Sequence, residues 1–192
     1  MKIYVVRHGE TNENISKMMQ GNLDTELNDA GRRQAHDLAE KVASCDVDLI
    51  FSSPLKRAYD TAKIISSGKR IIVDERLKSR NHGEFQGISR NKINLKDYWN
   101  IKKNIRYEKA ESVRDLYDRI DSLLMDIKRY YPDKKVLLVT HSGITRILHY
   151  YFNGIPEDGD LTPYVSNNCS FEEYELWVFY DGVFDFNAYI GI

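Results

Sequence analysis

The 192-residue sequence is poor in cysteine and has no long hydrophobic run. Its two cysteines, Cys45 and Cys169, are too few for a disulfide framework or a four-cysteine metal site. No window approaches the roughly 18 uncharged apolar residues that a membrane-spanning helix needs. The first residues, MKIYVVRHG, contain no apolar signal region. We therefore expect a cytoplasmic globular protein that does not enter a membrane.

The chain also lacks an excess of either charge, because 28 Lys and Arg stand against 29 Asp and Glu. Nucleic-acid binders carry a clear basic excess, so we expect no nucleic-acid partner. The charge is nevertheless uneven: residues 76–109 contain ten Lys or Arg and only three acids. With Tyr98 and Trp99, this segment could steer and cover an anionic substrate. The alternative is a Lys-rich lobe that is simply solvated.

Hydrophobic periodicity predicts strands that alternate with helices. Strands are predicted at 2–6, 48–52, 70–73 and 135–140, and helices after Asn28, from Pro54, over 111–131 and over 143–153. This alternation is typical of a three-layer α/β/α fold with a mostly parallel sheet. Residues 74–110 fit it poorly and are predicted to form a small cap excursion. The C-terminal stretch predicts a β-hairpin that turns at Asp181-Gly182. We expect residues 1–192 to form a single domain.

Cationic and imidazole side chains follow three of the predicted strands. Arg7 and His8 end the first strand, Arg57 lies one turn into the helix after the second, and His141 follows the strand at 135–140. Open α/β sheets bind ligands beyond the carboxyl ends of their strands. Two guanidiniums with imidazoles favour a dianion such as phosphate, and a neutral imidazole is a competent nucleophile toward phosphorus. A lone His at a strand end is more often structural, so the prediction of a phosphate site depends on these Arg and His side chains meeting at one edge of the sheet.

Three stretches of the chain together resemble the histidine phosphatase superfamily, in its phosphoglycerate mutase-like branch. They are RHGET at 7–11, SSPLKRA at 52–58 and VTHSG at 139–143, and Asn14 matches as well. The resemblance extends over nearly the whole chain and implies a metal-independent reaction through a phosphohistidine, without a cofactor.

The resemblance also implies roles for individual residues. His8 would be the phosphorylated nucleophile, and Arg7, Arg57 and His141 would bind the phosphoryl group. Asn14 would be a further contact, and we assign Ser142 to the substrate-binding set as well.

One position departs from the family pattern. Ser79 stands where members often have a glutamate that protonates the leaving group, and a hydroxyl has no useful pKa for that role. Glu84 is the only carboxylate between Glu75 and Asp97, so it is the substitute candidate, with a solvated loop acid as the alternative interpretation. His82 is a weaker candidate. A third possibility is poor proton donation, with slow turnover or a preference for good leaving groups.

The sequence favours hydrolysis over the alternatives. Phosphoglycerate mutases of this kind tend to be longer, with inserted segments that enclose the site. In this chain, only the cap excursion at 74–110 is available to cover the site. We therefore predict a phosphatase, a phosphoric monoester hydrolase acting on a small phosphorylated substrate. The alternatives are phosphoglycerate mutase-type transfer and a weakly active protein that binds phospho-ligands.

Overall fold

The computed structural model describes residues 1–177, which contain a five-stranded sheet. Its strands are β1 (Lys2–Arg7), β2 (Leu49–Ser52), β3 (Ile71–Val73), β4 (Val136–Thr140) and β5 (Phe171–Glu175). They lie in the order β3-β2-β4-β1-β5, with β1 to β4 mutually parallel and β5 antiparallel to β1. β5 occupies the first half of the predicted hairpin, and the turn at Asp181-Gly182 lies outside the described residues.

Six α-helices accompany the sheet in the described part of the chain. They are α1 (Asn12–Ile15), α2 (Asp29–Ser44), α3 (Lys56–Ile65), α4 (Leu95–Tyr98), α5 (Val113–Tyr130) and α6 (Ser142–Asn153). The predicted N-cap of α2 is confirmed, since Asn28 Oδ1 accepts from Gly31 N at 2.8 Å. The start predicted for α3 at Pro54 was wrong. Ser53 Oγ accepts from Leu55 N, and Asp24 Oδ1 accepts from Lys56 N at 2.7 Å, so the helix begins at Lys56.

Successive side chains of each strand point to opposite faces of the sheet, and each face is covered by a hydrophobic core. In β1, Ile3 and Val5 pack with the buried residues of α5 and α6, whereas Tyr4 and Val6 pack with those of α2 and α3. Successive strand residues point to opposite faces, so a strand buried on both sides must be apolar throughout. The predicted three-layer α/β/α architecture is confirmed. None of the helices in residues 1–177 has the length and apolarity to cross a bilayer.

The segment between β3 and α5 lies at the carboxyl ends of the strands. It contains α4 and three 3-10 turns, at Glu75–Leu77, Gly83–Phe85 and Arg90–Lys92. Leu77 is fully buried, and its carbonyl accepts from Thr140 Oγ1 at 2.8 Å at the end of β4. This contact fixes the start of the segment beside the edge where the predicted site residues emerge.

Most of the excess positive charge in this segment is locally paired. Six of its cations lie within ion-pair distance of a carboxylate, namely Arg76, Lys78, Lys96, Lys103, Arg106 and Lys109. Exposed pairs of this kind contribute little to stability. Paired surface charges are typical of a solvated lobe. Arg90, which makes no ion pair in the described residues, lines the cavity described next, so the steering hypothesis depends on it.

Candidate active site

The ends of β1 and β4 bring two histidines together. His8 N donates to Thr140 O at 2.9 Å, and the ring centroids of His8 and His141 are 5.1 Å apart. A cavity of about 190 Å³ opens at this point. It is lined by six residues predicted from the sequence: Arg7, His8, Asn14, Arg57, His141 and Ser142.

The His8 ring is held in one tautomer. Its Nδ1 lies 2.7 Å from Gly9 O, and because a carbonyl can only accept, Nδ1 carries the hydrogen. Nε2 therefore keeps its lone pair. The side chain is buried, and this burial, followed by the charges of Arg57 and Arg7, holds the pKa of His8 well below its usual value. His8 is thus a neutral imidazole at neutral pH, as a nitrogen nucleophile must be.

The His141 ring is also neutral and buried. Its Nε2 lies 2.8 Å from Ser53 Oγ, while its Nδ1 is buried without a hydrogen-bond partner in the described residues. His141 is the N-cap residue of α6, but its side chain makes no capping bond. Burial, then the charge of Arg57, holds the pKa of His141 well below the usual value. The unpartnered nitrogen is therefore available to a ligand.

Arg57 is buried at the start of α3 with only 1% of its surface exposed. Its Nη2 donates to Gly21 O at 2.8 Å and its Nη1 to Leu23 O at 2.6 Å. These partners are neutral carbonyls, so they orient the guanidinium without cancelling its charge. Thr61, one turn along α3, ties the helix to the end of β1, because its Oγ1 accepts from Gly9 N at 3.0 Å.

Arg7 is held in a similar way at the end of β1. Its Nη1 donates to Ser166 O at 2.5 Å. Burial lowers the pKa of both Arg7 and Arg57 to about 10, so both remain charged at neutral pH. The Nε atoms of both arginines are buried without partners in the described residues, as is His141 Nδ1. Buried polar nitrogens are ordinarily hydrogen-bonded, so this cluster is suited to an oxyanion with several acceptor oxygens.

Asn14 and Ser142 complete the set of predicted residues at the cavity. Asn14 Oδ1 accepts from Thr11 N and from Asn168 Nδ2, both at 3.1 Å, which leaves its Nδ2 hydrogens for an acceptor. Ser142 is the first residue of α6, where backbone N–H groups favour an anion.

Glu84 is not brought to this cavity, which corrects the expectation that it faces the leaving group. The side chain is exposed, and its Oε1 accepts from Glu108 N at 3.2 Å. The cause lies in the preceding residue: Gly83 has φ +52°, and a Cβ there would lie 2.3 Å from Glu108 O. The backbone is therefore pressed against residues 108–110, and Glu84 turns toward solvent. No carboxylate lines the cavity within the described residues.

His82 lines the cavity but is not a general acid at neutral pH. Its Nδ1 lies 2.7 Å from Tyr98 Oη, and burial, followed by the charges of nearby arginines, lowers its pKa to about 3. A neutral imidazole is far too weak an acid to protonate an alkoxide efficiently.

Sequence reasoning missed Arg146 and placed Trp99 only in a cap. Both line the cavity, and the Arg146 guanidinium carbon lies 4.4 Å from the Trp99 ring centroid. Arg146 stands four residues after Ser142, so helical spacing puts them on one face of α6; that signal could have found it. In the described chain, no group of three or more His, Cys, Asp or Glu is placed to hold a metal ion.

Comparisons with known proteins identify the family of the chain and several relatives. The family model described as histidine phosphatase superfamily (branch 1) matches residues 3–179. Phosphoglycerate mutase-like protein 4 of Arabidopsis thaliana is 38% identical over 159 residues, which span 77% of this chain and 69% of that protein. The uncharacterized phosphatase PhoE of Bacillus subtilis is 35% identical over 158 residues, spanning 81% of this chain and 79% of its own length.

Solved structures show the same likeness. The structure of a mycobacterial glucosyl-3-phosphoglycerate phosphatase in complex with VO3 is 28% identical and has a TM-score of 0.79. The match covers 92% of this chain and 98% of that one.

Proposed function

The chain belongs to branch 1 of the histidine phosphatase superfamily, and we propose that it hydrolyses phosphomonoesters through a phosphohistidine formed on His8. Several of its relatives are described as phosphatases. The observation that carries the mechanism is the neutral, buried His8 ring, with Nε2 bearing a lone pair beside two charged arginines. The proposed substrate is a small phosphorylated molecule, in line with the phosphorylated metabolite named for the mycobacterial relative.

In the first step, His8 Nε2 attacks phosphorus, the bond to the ester oxygen breaks, and the phosphoryl group passes to the imidazole. Phosphoryl transfer depends mainly on alignment and on neutralising the charge of the phosphoryl oxygens. Arg7 and Arg57 supply two fixed positive charges, and His141 supplies a further nitrogen contact. In the proposed mechanism, these groups neutralise the charge of the phosphoryl oxygens without a metal ion.

In the second step, water attacks the phosphohistidine and releases inorganic phosphate. The Nδ1–H···O contact to Gly9 holds the ring in place through both steps, since it does not use the reacting nitrogen. The product leaves His8 neutral again because burial and the arginines still oppose its protonation.

The leaving group limits which esters react fast. The departing oxygen needs a proton unless its conjugate acid is already strong, and the described cavity lining contains no carboxylate to supply one. Aryl esters, whose phenolate leaves readily, are therefore the best probe of the transfer step itself.

The test is hydrolysis of p-nitrophenyl phosphate by purified protein in excess EDTA. We expect turnover that persists in EDTA and that His8→Ala abolishes, because the variant has no nucleophilic nitrogen. His36→Ala is the matched control, since His36 lies exposed on α2. Denaturing the protein in alkaline detergent during turnover should preserve a phosphoryl group on it that is stable to base and is lost on treatment with acid.

Three results would count against the proposal. Activity that survives in His8→Ala would rule out a phosphohistidine on His8, and loss of activity in EDTA would rule out the metal-free mechanism. Efficient isomerisation of 3-phosphoglycerate with its bisphosphate primer would favour a mutase.

A further inference from the structure

Ser53 contacts the second cavity histidine on the side away from the cavity. Strands β2 and β4 are neighbours, with Ser52 opposite Val139, so the residues that follow the two strands emerge side by side. Ser53 N donates to Val139 O at 3.0 Å, and Ser53 Oγ lies 2.8 Å from His141 Nε2. Ser53 is fully buried, and in the described residues it does not line the cavity, whereas His141 does. Any effect of the Ser53 hydroxyl on a ligand must therefore pass through the histidine ring.

The Ser53 hydroxyl has one hydrogen, and its hydrogen-bond partners show where that hydrogen lies. The oxygen accepts from Leu55 N at 3.2 Å, a local bond from backbone to side chain that serines often form. Among residues 1–177, the other partner of the hydroxyl is His141 Nε2. If Nε2 carried a hydrogen, that hydrogen would point at Ser53 Oγ, and the hydroxyl hydrogen would be buried without an acceptor, which is costly. If Ser53 donates to Nε2, both groups are satisfied.

The bond from Ser53 determines what His141 presents to the cavity. A ring nitrogen that accepts a hydrogen bond carries no hydrogen, so the hydrogen of the neutral His141 ring lies on Nδ1. Nδ1 is buried and has no partner within the described chain, and the same is true of Arg7 Nε and Arg57 Nε at this cavity. With a hydrogen on Nδ1, all three nitrogens are donors and match the acceptor oxygens of a phosphoryl group. The opposite tautomer would present a lone pair, which repels those oxygens.

We propose that Ser53 is a positioning residue, which holds His141 in the Nδ1–H tautomer so that this ring donates a hydrogen bond to a phosphoryl oxygen. His8 has the same tautomer and the opposite role. Its Nδ1–H is bound to Gly9 O, so it presents a lone pair to phosphorus, whereas His141 presents its hydrogen. The partner behind each ring thus decides which atom faces the substrate. This inference rests on the proposed function, because it assumes that the phosphoryl group occupies the cavity beside His8.

The first experiment measures the tautomer directly. In protein with isotope-labelled histidine, the chemical shift of each ring nitrogen distinguishes a protonated nitrogen from one with a lone pair, and the spectrum of His141→Asn identifies the His141 signals. We expect a hydrogen on Nδ1 of His141 and a lone pair on Nε2, both in the free protein and with inorganic phosphate bound. In Ser53→Ala, the Nε2–H form should appear. A hydrogen on Nε2 in the unmodified protein, with or without one on Nδ1, would overturn the inference.

The second experiment measures phosphate binding, which needs no turnover. Titration calorimetry above neutral pH gives the dissociation constant of inorganic phosphate for the unmodified protein, Ser53→Ala, His141→Asn and the double variant. Ser53→Ala should weaken binding roughly ten- to a hundredfold, because one hydrogen bond to a charged group is lost. The side-chain amide in His141→Asn supplies an N–H near the position of Nδ1 and has no tautomer to fix. In that background, Ser53→Ala should therefore weaken binding by no more than about twofold.

Ser52→Ala is the matched control, since Ser52 is equally buried and its Oγ donates to the backbone oxygen of Ser53 at 3.0 Å. It should change the dissociation constant by no more than about twofold. Unchanged binding in Ser53→Ala would overturn the inference, and so would an equal loss with and without His141, because a packing defect acts in both backgrounds. Should Ser53→Ala fail to fold, the tautomer in the unmodified protein decides the question. Failure of the proposed function shows separately, as the absence of His8-dependent hydrolysis of p-nitrophenyl phosphate.

Discussion

At the scale of single residues, position 79 is where a proton donor could be added to the cavity by substitution. Ser79 lines the cavity with 8% of its surface exposed, at the position that in the family often holds a proton-donating glutamate. We expect Ser79→Glu to raise kcat/KM for glycerol 3-phosphate by roughly a hundredfold, the lower end of what a positioned general acid contributes. The value for p-nitrophenyl phosphate should change much less, because its leaving group needs no proton. Steady-state kinetics with both substrates checks this.

Glu84→Gln is the matched control for that experiment. The exposed Glu84 carboxylate contacts Glu108 N and not the cavity, so its loss should affect both substrates alike and only slightly. A selective loss of alkyl phosphate hydrolysis would restore Glu84 as the proton donor. Equal gains for both substrates in Ser79→Glu would show that the new carboxylate acts on something other than the leaving group.

Sequence reasoning predicted side chains that sit at strand ends better than those that depend on loops. Arg7, His8 and His141 follow directly from where β1 and β4 end, so the edge of the sheet brings them to one cavity. Glu84 was predicted from its place in the sequence alone, and its direction depends on the left-handed backbone at Gly83. No hydrophobic pattern reports that conformation, because it is imposed by contact with residues 108–110.

At the scale of secondary-structure elements, the approach of α2 to the end of β1 determines where His8 lies. A Cβ added at Gly9 would lie 2.4 Å from Gly31 O, and one added at Gly31 would lie 2.2 Å from Glu10 O. The backbone that Gly9 approaches is therefore that of α2. The two glycines thus let the first turn of the helix touch the strand-end loop directly.

We expect Gly31→Ala to destabilise the protein by about 1–3 kcal/mol, the usual cost of overpacking. Helix propensity alone predicts the opposite sign, since Ala is favoured over Gly in a helix by up to about 1 kcal/mol. Urea unfolding measures the change, and kcat/KM should fall as well because the loop that carries His8 must shift. A stabilised Gly31→Ala protein would show that the contact is loose.

Ala30→Gly, one position earlier in α2, is the matched control for helix propensity. It should cost only the roughly 0.5–1 kcal/mol that glycine costs in a helix. It should also leave kcat/KM near its original value, because the change removes a methyl group and adds no contact at the loop.

The elements themselves were predictable because the strands are apolar on both faces and the helices on one. The start of α2 and the bounds of α5 and α6 agree with the prediction to within a residue or two. The spatial order β3-β2-β4-β1-β5 was not predictable from one sequence. Every buried parallel strand carries a similar apolar run, so local pattern does not say which strands are neighbours.

At the scale of the whole molecule, three of the five histidines are buried in neutral form around one cavity. Burial holds the pKa of His8 and His141 well below the usual 6.5 and lowers that of His82 to about 3. In the unfolded chain each of these rings takes up a proton near pH 6.5. A group with a lowered pKa in the folded state contributes stability that is fully present above its unfolded pKa. That contribution is lost as the pH falls from the unfolded value toward the folded one.

The free energy of unfolding should therefore fall steeply between pH 6.5 and pH 5. Each buried ring contributes a slope that approaches about 1.4 kcal/mol per pH unit, because the unfolded state binds one more proton than the folded state. Urea titrations across this range measure the slope, and His8→Asn and His141→Asn should each reduce it by about one proton. His36→Asn, at an exposed position on α2, should leave the slope as it is. A slope that stays unchanged in both cavity variants would mean that the two rings take up protons in the folded protein, and a protonated His8 has no lone pair with which to attack phosphorus.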